Sequence, residues 1–298
     1  SNYSEYRGSM HILYEQSRMA EDGVRRPEGT VQTYMESVHH QFVSTMANLE
    51  SLATHSQAMY RDYWDGRKYN VSAKSKFADK SYVILANDNH GRMAALVERL
   101  DAQGIEMFSN DAPLKVARAT TQLGSEERGF TIPEGSLIIP NRQPDAPLVA
   151  AILEFDAEVR KSVLVEERQR TLRDGSSLMY DTTAWNFSMM YGLPAVTVPE
   201  YLKQGLQPWQ SAAPSIDVAA EAIAWSVSGD DDRSVAFAAR LMESGVQVRI
   251  IDKATELSGK SLSRGSVFVT AMDNPKLDNL TDLITAEAEH LQLTVKSI

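Results

Sequence analysis

Residues 82–107 read YVILANDNHGRMAALVERLDAQGIEM, and residues 223–248 follow them closely in pattern. Tyr82–Asn87 is a short apolar run with strand character. His90–Gln103 carries apolar side chains at helical spacing, Gly104 closes it, and Ile105-Glu-Met107 starts another strand. The second stretch repeats the order with Ile223–Ser228, Asp231–Ser244, Gly245 and Val246-Gln-Val248. At a constant offset of 141 residues, Arg92 falls on Arg233, Arg99 on Arg240, Leu100 on Leu241 and Gly104 on Gly245. Each copy continues into Gly-Ser and an apolar run, Gly135-Ser-Leu-Ile-Ile139 and Gly265-Ser-Val-Phe-Val269, and then reaches a proline, Pro144 or Pro275. The two glycines lie 31 positions apart in the first copy and 20 in the second; the surplus, around Gly124-Ser-Glu-Glu-Arg-Gly129, reads as a surface loop.

Strands that alternate with helices of this length point to crossover units with parallel returns. The expected fold is therefore α/β, with a three-layer, mainly parallel sheet built from two duplicated strand–helix–strand units and preceded by a strand and a long helix. Residues 76–298 form the duplicated domain, with copies over about 81–165 and 222–298 joined by 166–221.

Residues 1–75 read differently. His11-Ile12-Leu13-Tyr14-Glu15 is a short strand ending in a carboxylate. From 30 to 64, Val31, Tyr34, Met35, Val38, Phe42, Met46 and Leu49 recur at spacings of mostly three and four, which predicts helix: one of about 50 Å if unbroken, with two helices equally compatible. Gly66–Lys80 is polar and basic and reads as a linker. An apolar stripe on such a helix, beside an unpaired strand, favours self-association, so a homodimer through residues 11–60 is expected.

Composition narrows the classes. Hydrophobic residues make up 43% and charged residues 23%, as in an ordinary soluble globular chain. No apolar run approaches the length of a membrane span. The net charge is −10, and no basic stripe with interleaved aromatics occurs, so nucleic acid is not an expected partner. The chain has no cysteine, which excludes disulfides, thiolate metal sites and cysteine nucleophiles.

The order His11–Glu15, Pro27-Glu28-Gly29-Thr30 and a long helix resembles the close of the catalytic domain in zinc carboxypeptidases of the carboxypeptidase A type. The central stretch Gly175-Ser-Ser-Leu-Met-Tyr180-Asp-Thr-Thr-Ala-Trp185, ending at Tyr191-Gly-Leu-Pro-Ala195, resembles the accessory region of large bacterial members. The resemblance implies that Glu15 is the general base that activates zinc-bound water in an intact, exported parent acting on peptide substrates. It also implies that 1–75 is the last part of that catalytic domain and that the rest of the domain is a missing partner. Under this reading the chain itself is a non-catalytic accessory portion, holding no zinc. The alternative is a self-contained α/β ligand-binding or protein-interaction module in which Glu15 has no peptidase role. An independent enzyme ranks third, because neither a glycine-rich phosphate loop nor a histidine paired with a nucleophile is present.

Four further groups carry chemistry-bearing residues. Glu36, His39 and His40 have the Glu-x-x-His spacing of a helical metal site but lack a second copy, so solvated histidines are the favoured reading. Asp230-Asp231-Asp232 sits where a helix begins and suits capping. Asn87-Asp88-Asn89-His90 occupies the same turn in the first copy and is the natural place for a ligand. Ser176, Ser177, Asp181, Thr182 and Thr183 lack a nucleophile elbow; Asp181 and Thr182 read as caps, and Trp185, Met189, Met190 and Tyr191 as core.

No His-x-x-Glu pair follows any of the six histidines, and an open zinc site needs three protein ligands. Elemental analysis of the purified chain is expected to find no stoichiometric zinc. A tightly held ion at about one per chain would overturn this and direct attention to Glu36, His39 and His40.

Overall fold

The computed structural model describes residues 3–15, 22–155, 159–179, 186–211, 214–219 and 221–298. The chain divides into two compact units, 1–79 with 142–151, and 80–141 with 152–298.

The first unit is built on one helix. A single turn, α1 (Tyr3–Tyr6), is followed by a hairpin of β1 (Gly23–Arg25) and β2 (Val31–Thr33). Next comes α2 (Tyr34–Asn70), 37 residues and about 55 Å long. Thr33 caps its start: the Thr33 hydroxyl accepts from the Glu36 N–H, and the Glu36 carboxylate accepts from the Thr33 N–H at 2.8 Å. The helix runs six residues past the expected end at 64, straight through Gly66. The reason is tertiary. The Arg67 guanidinium grips the buried Asp145 carboxylate with contacts of 2.5 and 3.3 Å, and Asn70 Nδ2 donates to the Pro144 carbonyl at 2.9 Å. These anchors outweigh the roughly 1 kcal/mol that a helical glycine costs. Residues 11–15 form no strand. They lie along α2, where the Tyr14 hydroxyl donates to Asn48 Oδ1 at 3.1 Å and Gln41 donates to the Tyr14 carbonyl.

The second unit holds both copies. In chain order the first contains β3 (Ser81–Ile84), α3 (His90–Asp101), β4 (Phe108–Ser109), β5 (Leu114–Lys115), β6 (Arg118–Thr121), β7 (Glu126–Arg128), β8 (Thr131–Ile132) and β9 (Leu137–Pro140). After α4 (Ala146–Leu153), whose first six residues belong to the first unit, it continues through α5 (Lys161–Asp174), α6 (Phe187–Met190), β10 (Ala195–Val198) and β11 (Gln207–Pro208). The second copy contains β12 (Ala224–Val227), α7 (Arg233–Glu243), β13 (Arg249–Ile250), β14 (Thr255–Leu257), β15 (Lys260–Leu262), β16 (Val267–Thr270), α8 (Leu280–Leu291) and β17 (Val295–Ser297).

The expected mainly parallel, three-layer sheet is not what forms. Every paired strand in both sheets is antiparallel: β11-β4-β9-β3-β10-β6-β7 in the first copy and β13-β16-β12-β17 in the second. The expected crossover is present, because β3 and β4 both run against β9 and so run parallel to each other. What the sequence concealed is that β9 inserts between them, as β16 does between β12 and β13. The physical cause is burial. β3 and β9 are buried at all four positions and take the centre, while two-residue β4 is half-exposed and goes outward.

What repeats is thus a strand–helix–strand–strand–helix–strand unit with strand order 2-3-1-4, the split arrangement of ferredoxin-like folds. The registers agree between the copies. Ile84 faces Leu137 and Ala195 as Val227 faces Val267 and Val295, and Phe108 faces Ile138 as Arg249 faces Phe268. Gly104 and Gly245 follow equivalent helices with φ of 70° and 82°, and the next N–H returns to the Leu100 or Leu241 carbonyl. The two Gly-Ser pairs have one task. Buried Ser136 and Ser266 hydroxyls accept from the Ala86 and Gly229 N–H groups at 3.0 and 3.2 Å. In the second copy Phe237 and Leu241 of α7, Ile284 and Ala288 of α8, and Trp225, Val227, Val267, Val269 and Val295 share one core, which makes two layers rather than three.

The surplus of the first copy is not a loop. Residues 118–128 form the hairpin β6–β7, which lengthens the sheet beyond β10, and Val116, Ala119 and Ile132 pack with Val83, Ile138 and Val196.

A Cβ at Gly229 would lie 2.3 Å from the Gly265 carbonyl carbon and 2.4 Å from the Ser266 nitrogen. Both are backbone atoms that cannot rotate away. Gly229→Ala is expected to lower stability by about 3 kcal/mol or more, against about 1–2 kcal/mol for Gly104→Ala, whose Cβ has open space but an unfavourable φ. Urea unfolding of the two variants compares them directly, and equal losses would contradict the packing argument.

Candidate functional site

The turn after the first strand differs between the copies. Eight positions separate Ile84 from Arg92 but six separate Val227 from Arg233, so the first copy has two extra residues there. Its asparagines serve the turn. Asn87 donates to the Leu85 carbonyl and accepts from the Asn89 N–H, and Asn89 Oδ1 accepts from the Arg92 N–H at the start of α3. Asp88 and His90 are exposed.

In the second copy the aspartates do more than cap one helix. The buried Asp231 carboxylate accepts from the Arg233 N–H of α7 and from the Gly91 N–H of α3, both at 3.0 Å. One anion thereby serves two helix N-termini. Asp232 takes a two-pronged contact from Arg92, at 2.6 and 3.1 Å, and the Arg92 guanidinium holds its carboxyl below the usual range. The equivalent arginines have equivalent second partners: Arg92 Nη1 donates to the Tyr191 carbonyl at 3.3 Å and Arg233 Nη1 to the Leu291 carbonyl at 3.2 Å. A Cβ at Gly91 would stand 2.7 Å from Asp231 Oδ1 and 3.0 Å from Arg233 Nε, so any larger residue would have to push the side chains of this junction aside.

Beside the turn opens a groove of about 680 Å³. One wall is a face of α3 presenting His90, Met93, Ala94, Val97, Glu98 and Asp101, positions three or four apart. The other is Trp209, held by its N–H donating to the Met107 carbonyl as a continuation of the β11–β4 pairing. The Trp209 indole Nε1 is buried and has no acceptor among the described residues. Met93, Ala94, Val97 and Trp209 give the groove an apolar lining, and Asp88, Glu98 and Asp101 put three carboxylates around it with no lysine or arginine among the lining residues. Its volume suits a small molecule or a few peptide residues.

The strongest proton-affinity shifts lie elsewhere and have structural causes. Burial, reinforced by the charge and hydrogen bond of Glu154, pushes the Tyr82 hydroxyl up, and Lys80 pairs with the same carboxylate. Asp273 is held down to about 2 by hydrogen bonds from Arg249 and Thr270 on the surface.

The residues singled out from sequence disperse. Glu15 is exposed on the segment along α2. Glu36 is committed to the cap of α2, and His39 and His40 are exposed behind it. Ser176 donates to Asp174 and Ser177 to Glu167, so neither faces a base capable of activating it as a nucleophile in this setting. Met189 and Met190, expected in the core, are 45% and 57% exposed, because α6 is a single turn with only Ser188 buried. Tyr180, Asp181, Thr182, Thr183 and Trp185 lie outside the described residues. Among the described residues no group of three or more His, Asp or Glu side chains could hold a metal ion. The turn at Asn87–His90 does border the groove, but Glu98, Asp101 and Trp209 were missed. For the two acids a signal existed: the 141-residue offset sets Glu98 against Ala239 and Asp101 against Met242.

Asp231→Ala is expected to cost about 2–3 kcal/mol, since it strands two helix donors and removes their anion. Asp230→Ala, at an exposed position, is expected within about 0.5 kcal/mol of the parent chain. Denaturant unfolding tests the pair, and equal effects would show that Asp231 is not the junction described. No protein-family model and no curated protein sequence matches the chain.

Proposed function

We propose that this chain is a non-catalytic accessory portion of a zinc metallocarboxypeptidase-like protein whose intact form hydrolyses C-terminal residues of peptides. The observation that carries the reading is the exposed apolar stripe of α2. Tyr34, Met35, Val38, Phe42, Met46 and Leu49 are each 48–80% exposed, and Ser37 is the one buried residue of the helix. Helices of this kind draw most of their stability from packing an amphipathic face, so the stripe calls for a partner surface. A peptidase sheet, packed by a final helix as the resemblance around Glu15 implies, supplies one. In its absence the same stripe would pair chains through residues 11–60.

In this reading Glu15 takes a proton from zinc-bound water in the intact protein, and this chain supplies no metal ligand of its own. No helix among the described residues is long and apolar enough to cross a membrane. Mass analysis of the native gene product is expected to find a longer polypeptide with an upstream His-x-x-Glu pair. In that product Glu15→Gln is expected to lower release of C-terminal residues by about 10²–10⁴-fold with zinc content unchanged. A native product without such a pair, or full activity in Glu15→Gln, would sink the reading.

A second reading is favoured by the groove beside α3: the duplicated region acts as a ligand-binding or protein-interaction module. It is compatible with the first and independent of Glu15.

A further inference from the structure

The two copies share strand order, register, helix ends and the paired arginines, yet among the described residues the first alone has a wall facing its first helix. β11 adds to the β4 edge and delivers Trp209, whereas β13 is the outermost strand of its sheet. The facing helix surface differs in step. Glu98 and Asp101 of α3 stand where α7 has Ala239 and Met242.

Helix stability does not explain these acids. Both lie in the last turn of α3, at the negative end of the helix dipole, where carboxylates are disfavoured. Neither is ion-paired or hydrogen-bonded through its carboxylate among the described residues, and Asp88 brings a third negative charge to the same groove. Between the acids and Trp209 lie Met93, Ala94 and Val97, which give the groove its apolar floor.

We infer that the groove between α3 and Trp209 binds a short peptide segment carrying a lysine or arginine next to an apolar side chain. The inference rests on the binding-module reading and names its ligand. The cationic group meets Glu98 and Asp101, and the apolar side chain lies on Met93, Val97 and the Trp209 ring. The groove volume of about 680 Å³ accommodates two or three residues.

The test uses the isotope-labelled full chain, following the Trp209 indole N–H and the α3 amides during titration with acetyl-Lys-Leu-Lys-amide and, separately, acetyl-Glu-Leu-Glu-amide. The lysine peptide is expected to shift these signals and to bind about 10-fold or more tighter than the glutamate peptide. The double variant Glu98→Gln, Asp101→Asn keeps shape while removing both charges, and is expected to weaken the lysine peptide by about five-fold. Equal binding of the two peptides would overturn the cationic assignment while leaving a binding groove. No shift at Trp209 or the α3 amides with either peptide would overturn the inference, while the broader binding-module reading, which names no ligand, falls only if the groove binds nothing in a wider ligand screen.

Discussion

A single carboxylate joins the two halves of the duplicated unit. Asp231 is buried where the first turns of α3 and α7 meet, and accepts a backbone N–H from each. Two helix N-termini placed nose to nose would repel through their partial positive charges, and their free donors would be costly to bury. One anion between them turns that repulsion into attraction. The remaining contacts are arranged around it: Gly91 leaves the space, and Arg92 reaches Asp232 across the junction. Arg92 and Arg233 also donate to carbonyls at the ends of their own copies' second helical segments.

Duplication gives the molecule an internal control. Features present in both copies are needed by the fold: the helix-ending glycine, the Gly-Ser pair that closes the first strand, and the arginine at the helix start. Features present in one copy need another explanation. The hairpin β6–β7 and its neighbours have a packing role, since they bury Val83, Ile138 and Val196. The Trp209 wall and the acids opposite it enclose solvent rather than a core, and that is why the groove carries the functional argument.

The helix α2 poses a different constraint. Its ends are well determined, by the Thr33–Glu36 cap and by Arg67 on Asp145, while its middle exposes a row of large apolar side chains. A helix held at its ends but bare along one face is suited to receive a partner.

Much was legible in the sequence because it depends on local rules. Strand and helix runs, the 141-residue repeat and the glycines after α3 and α7 all follow from periodicity and backbone preference; of the three aspartates read as caps, Asp231 alone accepts an N–H of α7 through its carboxylate. The helix of residues 30–64 was legible in its apolar spacing, but its last turn was not, because Arg67 is stabilised by Asp145 from 78 residues away. Sheet order was likewise closed to a local reading. Whether β9 lies beside or between β3 and β4 depends on which strands bury both faces, a property of the assembled layer rather than of any strand. The groove depends on β11 joining β4, a pairing between residues about a hundred positions apart that no spacing announces. The sequence alone therefore determined the elements and their repetition, through short-range backbone and side-chain preferences. The tertiary structure alone decided their neighbours, and with them the site, because pairing and burial are settled only when distant segments compete for the same core.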